Sequence, residues 1–180
     1  QWRSPELKEE DISAFKKNIL DSGYSPKSIL PHAGYLINPA SPNEEMADKS
    51  FNLFMDEGQR VVRLGLETIN IHPGAYKEGS MEEGIKRCSL MVDRVLEEVP
   101  GLKIALENTA GAGTIIGSKF EELDAILSEI KNKDRVGFTL DTAHLFGAGY
   151  DVKGDPDGVL DSFFSRFGED KLFGMHLNDS

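Results

Sequence analysis

The stretch Val136-Gly137-Phe138-Thr139-Leu140-Asp141-Thr142-Ala143-His144 joins a short apolar run to two side chains that commonly bind metals. The run has the length of a buried β-strand, and Asp141 and His144 lie where the strand pattern ends. Carboxylate and imidazole groups are typical ligands of zinc, manganese and iron. The stretch therefore predicts a strand over 136–141 whose carboxyl end carries candidate ligands.

The same arrangement recurs along the chain at intervals of 34 to 40 residues. The other ligand-type side chains that end an apolar run are His32, His72, Glu107 and His176. An interval of this length holds about one strand and one helix. Since parallel strands end at one rim of a barrel, we expect all six side chains to gather there and form a metal site.

Apolar periodicity and capping signals divide the chain into alternating helices and strands. The predicted strands cover 67–72, 102–107, 136–141 and 172–177, and the segment 28–38 is predicted to be a strand that runs into a loop. The predicted helices cover 7–21, 44–64, 81–98, 119–131 and 157–167, and capping boxes at Ser80–Glu83 and Ser118–Glu121 begin two of them. The segment 144–156 is predicted to be a loop.

Strict alternation of strands and helices predicts an α/β fold with a parallel sheet. An open doubly wound sheet and a (β/α)8 TIM barrel are both compatible with that pattern. The ligands favour the barrel, because converging strand ends surround one point, whereas an open sheet spreads them along a line. We therefore predict a single partial TIM-barrel domain over 1–180, with about five βα units.

Composition narrows the functional classes. The chain has 180 residues, a formal net charge of −11 and one cysteine, Cys88. It has no apolar run of the roughly 18 residues that span a membrane, and a lone cysteine fits a reducing, intracellular compartment. The negative charge alone argues against a nucleic-acid partner, although bound divalent ions would offset it locally.

The order of the motifs resembles the endonuclease IV family of zinc-dependent apurinic/apyrimidinic endonucleases, which act in DNA base-excision repair. Five motifs carry the resemblance: LPHAGYLIN at 30–38, NIHPG at 70–74, LENTAG at 106–111, LDTAH at 140–144 and GMHLND at 174–179. The match covers essentially the whole chain.

The resemblance implies a (β/α)8 barrel with three zinc ions. On this mapping His32, His72 and Glu107 hold one zinc, and the catalytic Glu107 bridges to a second that Asp141 and His176 share. His144 belongs to the third, where manganese is an alternative. The family hydrolyses the phosphodiester 5′ to an abasic site in duplex DNA, leaving a 3′ hydroxyl, and trims 3′ blocking groups.

The resemblance also implies DNA contacts and a location. Tyr35 resembles a loop tyrosine that works at the lesion, and Gln1 resembles a glutamine that fills the gap in the duplex. The full-length protein is expected to be a monomer that acts in the cytoplasm, associated with the nucleoid if the source is bacterial.

The chain departs from the family at both ends. It begins with Gln1 and stops at Ser180, so two strands before Gln1 and one after Ser180, with further ligands, are absent. We therefore expect an internal fragment that is itself inactive or barely folded, because its open sheet edges are unprotected.

Two other interpretations remain. The first is a sugar isomerase or epimerase, which uses Glu, Asp and His at the strand ends of a similar metal-dependent barrel. The second is a degenerate barrel that binds zinc or DNA without cutting.

Overall fold

The fold is built on a parallel sheet whose strands lie side by side in chain order. The computed structural model describes residues 5–179, so Gln1 and its predicted DNA contact lie outside the described residues. Within this range the sheet contains β1 Thr68–Ile71, β2 Lys103–Glu107, β3 Val136–Asp141 and β4 Leu172–His176. Each strand pairs in parallel with the next, as the alternating sequence pattern predicts.

Helices connect the strands and cover the outer face of the sheet. Across residues 5–179 they are α1 Glu9–Ser22, α2 Glu44–Arg63, α3 Met81–Glu98, α4 Phe120–Glu129, α5 Thr142–Gly147 and α6 Pro156–Phe167. None of these helices combines the length and apolar character that crossing a membrane requires. Helices α1 to α4 and α6 lie within two residues of the predicted positions.

In the segment 28–38, the predicted strand is reduced to a single bridge before the predicted loop begins. His32 pairs in parallel with Asn70, whose N–H donates to Pro31 O at 2.8 Å and whose carbonyl accepts from Ala33 N at 2.7 Å. The segment cannot extend a regular ladder through Pro31, which has no N–H to donate. The chain instead turns after His32, where Ile37 N donates to Gly34 O at 3.0 Å.

The sheet curves like part of a barrel wall. A Cβ added at Gly174 on β4 would lie 2.6 Å from Leu30 Cδ2, although β1, β2 and β3 separate the two segments within the sheet. Only a curved sheet brings its first and last segments so close across the inner face. The predicted class, an α/β partial TIM barrel, is confirmed.

Two local predictions are wrong. The start of the predicted loop 144–156 is helical, because Asp141 caps α5 by accepting from His144 N at 2.8 Å. The Ser118 capping box does not form either. Glu122 reaches back and accepts from Gly117 N at 2.7 Å and Ser118 N at 2.9 Å. The Ser80 capping box of α3 is present as predicted.

Helix α3 is joined to the segment before β3 by a buried carboxylate. Asp93 is 4% exposed and accepts from Lys131 N, Asn132 N and Asn132 Nδ2 at 3.0–3.1 Å.

We expect Asp93→Ala to lower the free energy of unfolding by about 1–3 kcal/mol, because backbone donors lose their acceptor. Urea denaturation measures the change. Asp161→Ala, at an exposed position on α6, is the control and should shift stability by less than about 0.5 kcal/mol.

Candidate metal centre

Six ligand-type side chains meet at the carboxyl ends of the strands. Glu107, Asp141 and His176 are the last residues of β2, β3 and β4, and His72 directly follows β1. The single bridge brings His32 beside β1, and the first turn of α5 carries His144. The structure therefore brings all six predicted side chains together at one rim.

Glu107 lies at the middle of this group, with each carboxylate oxygen facing different imidazoles. It is 1% exposed. Its Oε2 atom lies 3.1 Å from His32 Nε2 and 3.6 Å from His72 Nε2. Its Oε1 atom lies 3.2 Å from Nδ1 of both His144 and His176. One carboxylate thus separates the four histidines into two pairs.

These neighbours keep the carboxylate charged despite its burial. Burial by itself raises the pKa of Glu107, since it disfavours the charged form. The adjacent His32 and His72 rings and the amide of Asn70 outweigh burial and hold the pKa of Glu107 far below its usual range. The hydrogen bond to Glu107 in turn raises the pKa of His32. The group is a compact site with an ionised carboxylate at its centre.

Among residues 5–179, two sets of three side chains have ligand atoms close enough to share a cation. In each set the ligand atoms all lie within 4.8 Å of one another: His32 with His72 and Glu107, and Glu107 with Asp141 and His176. Ligands that bind one zinc at about 2.0–2.2 Å lie roughly 3–4 Å apart, so both sets fit with small adjustments. Glu107 belongs to both.

His72 supplies an independent test of that fit. Its Nε2 atom is buried and, among residues 5–179, has no hydrogen-bond partner. A buried polar nitrogen without a partner is unfavourable, so the protein alone does not satisfy this ring. A cation between His72 and Glu107 would satisfy the nitrogen, and the imidazole–carboxylate donor set suits zinc or manganese.

Asp141 has one oxygen in a helix cap and the other in the site. Its Oδ1 caps α5, whereas its Oδ2 lies 3.9 Å from His176 Nδ1 and 3.3 Å from Asn178 Nδ2. Asn108 fixes the Asp141 backbone by accepting from its N–H at 2.6 Å. The carboxylate is therefore held at the rim by local backbone contacts.

His144 lies beside the two sets and belongs to neither. Its Nδ1 atom lies 2.9 Å from the carbonyl oxygen of Asn108, which can only accept a hydrogen bond. That contact assigns the ring proton to Nδ1 and leaves Nε2 as the acceptor. His144 is thus oriented to offer Nε2 to a further ligand.

Two polar side chains hold the loop that carries Tyr35. Glu57 on α2 accepts from Gly34 N at 2.9 Å, and burial raises the pKa of Glu57. Asn38 receives a hydrogen bond from Ala75 N at 2.8 Å and donates to Ala75 O at 3.0 Å, which ties this loop to the loop after His72. Tyr35 itself is 89% exposed. It is a free aromatic side chain on an anchored loop.

Sequence reasoning missed three asparagines. Asn38 joins two rim loops, Asn108 supports both Asp141 and His144, and Asn70 donates to Glu107. Asn70 precedes His72 by two residues and so lies on the same face of β1. That alternation is a signal that could have identified Asn70. Asn38 and Asn108 act through contacts between loops, for which the sequence gives no comparable signal.

Known proteins are similar to this chain in sequence and in structure. A family described as xylose isomerase-like TIM barrel matches residues 1–180. The chain is 42% identical to a protein named probable endonuclease 4 from Chlorobium phaeobacteroides (strain BS1), over all of this chain and 64% of that protein. The chain thus spans slightly under two thirds of the length of this relative.

Solved structures show the same fold. The crystal structure of endonuclease IV from Thermus thermophilus matches with a TM-score of 0.83 and 32% identity, over 100% of this chain and 63% of that chain. A D-tagatose 3-epimerase-like protein matches with a TM-score of 0.76 and 21% identity, over 96% of this chain and 63% of that chain. The second similarity concerns the fold alone.

The turn after His72 requires glycine at position 74. Gly74 has a φ of +98°, and an added Cβ would press against Asn38 Oδ1 and lie 3.0 Å from Ala40 N. We expect Gly74→Ala to displace this loop, to weaken Zn²⁺ binding, and to cost about 1–3 kcal/mol beyond the strain of the left-handed backbone.

Gly113→Ala is the matched control for this substitution. Gly113 also has a positive φ, of +62°, but an added Cβ would meet nothing within 4 Å. Thermal unfolding and a Zn²⁺ competition titration compare the two variants. Equal losses in both would show that the contact with Asn38 is unimportant.

Proposed function

Because the chain belongs to the xylose isomerase-like TIM-barrel family, we propose a function found on that barrel: metal-dependent cleavage of damaged DNA. The reaction is hydrolysis of the phosphodiester on the 5′ side of an abasic site, leaving a 3′ hydroxyl, with trimming of 3′ ends. The observation that carries the proposal is Glu107, whose two oxygens face separate pairs of histidines. The similarity to proteins named endonuclease 4 and endonuclease IV supports this substrate class.

The ligand assignment follows the two sets of side chains. His32, His72 and Glu107 would hold one zinc, and Glu107, Asp141 and His176 would hold a second. His144 would contribute to a third ion, zinc or manganese, through the nitrogen that its contact with Asn108 leaves available. When bound, such ions make water nucleophilic at neutral pH and stabilise negative charge on a phosphate.

The protein's own contribution is to fix these groups before the substrate arrives. Glu107 stays ionised because its neighbours stabilise the charge, so it needs no deprotonation to act as a ligand. Asp141 keeps its place because its backbone N–H and its Oδ1 are both engaged in local hydrogen bonds. Preorganised side chains lose little entropy when they bind, which favours a tight and specific site.

Net charge imposes a condition on DNA binding. With a formal charge of −11, the chain as a whole would repel a polyanionic duplex. Divalent ions at the rim would reverse the sign of the potential where a phosphate must approach. We therefore propose that metal loading is required for productive DNA binding as well as for hydrolysis.

Tyr35 is proposed to contact DNA at the lesion. Its loop is anchored by Glu57 and Asn38, whereas its ring is almost fully exposed. An exposed aromatic ring on an anchored loop can stack against a base at little entropic cost, and base–aromatic stacking contributes about 1–3 kcal/mol. The contact would favour an abasic site, where unstacking is least costly.

The main experiment measures strand cleavage by the purified full-length protein on duplex DNA with one abasic site. We expect nicking 5′ to the lesion, its loss after EDTA treatment, and its recovery on addition of Zn²⁺. Interconversion of ketoses without nicking would instead support the sugar epimerase alternative. Zinc binding with neither reaction would support a degenerate, non-catalytic barrel.

A Tyr35→Ala variant tests the DNA contact separately from the metal site. We expect binding of abasic DNA to weaken by about 1–3 kcal/mol, roughly 5- to 150-fold, with zinc content unchanged. The control is Tyr24→Ala, because Tyr24 is also exposed, at 69%, but lies before the His32 segment, at the opposite end of the barrel. Equal effects of the two variants would contradict the role of Tyr35.

A further inference from the structure

Asn70 is a buried amide directly below the candidate metal centre. It is 0% exposed and lies on β1, two residues before His72 and on the same face. Its partner across the ladder is Ala105, whose small side chain leaves room on the inner face of β2. Glu107 is the next residue on that face, and Asn70 Nδ2 donates a hydrogen bond to Glu107 Oε2.

The chemistry of this contact fixes which way the amide points. If the Asn70 group were reversed, its oxygen would face the ionised carboxylate and repel it. With Nδ2 toward Glu107, Asn70 Oδ1 has no hydrogen-bond partner among residues 5–179. The hydrogen bond that the Asn70 side chain makes is therefore the one that it donates to Glu107.

Asn70 differs in kind from the other neighbours of Glu107. Among residues 5–179, the groups within ion-pair distance of the Glu107 carboxylate are the four imidazoles, which are themselves candidate ligands. In His32, His72 and His176 the nitrogen that faces Glu107 cannot both bind a cation and donate a hydrogen bond to the carboxylate. The Nδ1–H of His144 is directed at the carbonyl oxygen of Asn108. The terminal torsion of a glutamate is soft, so such a carboxylate needs a separate anchor to keep its orientation.

We propose that Asn70 is a positioning residue that sets the orientation of the Glu107 carboxylate, with Oε2 toward His32 and His72 and Oε1 toward His176. The inference rests on the proposed function, since it assigns Asn70 to the same metal centre. A neutral amide suits the role because it restrains the carboxylate without adding charge next to the ions.

Thr139 provides a matched control within the same layer of the barrel. It is also 0% exposed, it is paired with Glu107 across the β2–β3 ladder, and it precedes the ligand Asp141 by two residues. Its Oγ1 has no hydrogen-bond partner among residues 5–179. Thr139→Val therefore removes a buried polar group near the site without removing a donor to Glu107.

The experiment compares Zn²⁺ affinity in the full-length protein by competition with a chromogenic chelator. Asn70→Leu keeps the number and branching of the side-chain heavy atoms, and Asn70→Ala avoids any clash if the bulkier leucine variant does not fold. We expect both to bind Zn²⁺ about 10- to 100-fold more weakly, the usual effect of losing such a supporting contact. Thr139→Val should bind Zn²⁺ as the unmutated protein does.

A double variant tests whether Asn70 acts through Glu107. In a Glu107→Asp background, which keeps a carboxylate but withdraws it by one methylene group from the Asn70 amide, Asn70→Leu should cause no further loss of Zn²⁺ affinity. A loss as large as in the unmutated background would overturn the inference. So would unchanged affinity in both Asn70 variants while the unmutated protein binds Zn²⁺. No Zn²⁺ binding by the unmutated protein would overturn the proposed function itself.

Discussion

The structure of the site depends on one buried carboxylate surrounded by imidazoles. Glu107 is almost inaccessible to solvent, yet its charge is stabilised by His32, His72 and Asn70. An ionised group in such a place is tolerated only when it is paired or coordinates a cation. The segments that end at this rim supply that pairing, because they place nitrogen atoms of His32, His72 and His176 within 3.6 Å of the carboxylate.

The barrel architecture meets that requirement through register. Parallel pairing aligns Asp141 with His176, and the curvature of the sheet brings His32 and His176 to a ring separation of 6.1 Å. Below this rim, the inner face is filled by small or uncharged side chains such as Ala105, Thr139 and Gly174. The charged layer is thus confined to the carboxyl ends, where solvent and substrate can reach it.

Much of this arrangement could be predicted from the sequence, and the reasons are specific. The apolar runs before Glu107 and Asp141 are short and well bounded, and their spacing fixes a strand and a helix per unit. The strand that begins the segment 28–38 was expected to be longer than the single bridge at His32, because the sequence pattern does not show where Pro31 interrupts the ladder. Helix α5 was missed because its stability comes from the Asp141 cap, and six residues carry little periodicity. Contacts such as Asn38 with Ala75 depend on how two loops meet, which no local pattern encodes.

The most direct test of this account is the zinc content of the purified full-length protein, of Glu107→Ala and of His144→Ala, measured by elemental analysis. If Glu107 joins two ions, Glu107→Ala should lose two zinc ions per chain relative to the unmutated protein. His144→Ala, which removes an equally close imidazole outside both ligand sets, should lose at most one. Equal zinc content in Glu107→Ala and His144→Ala would contradict the central role of Glu107.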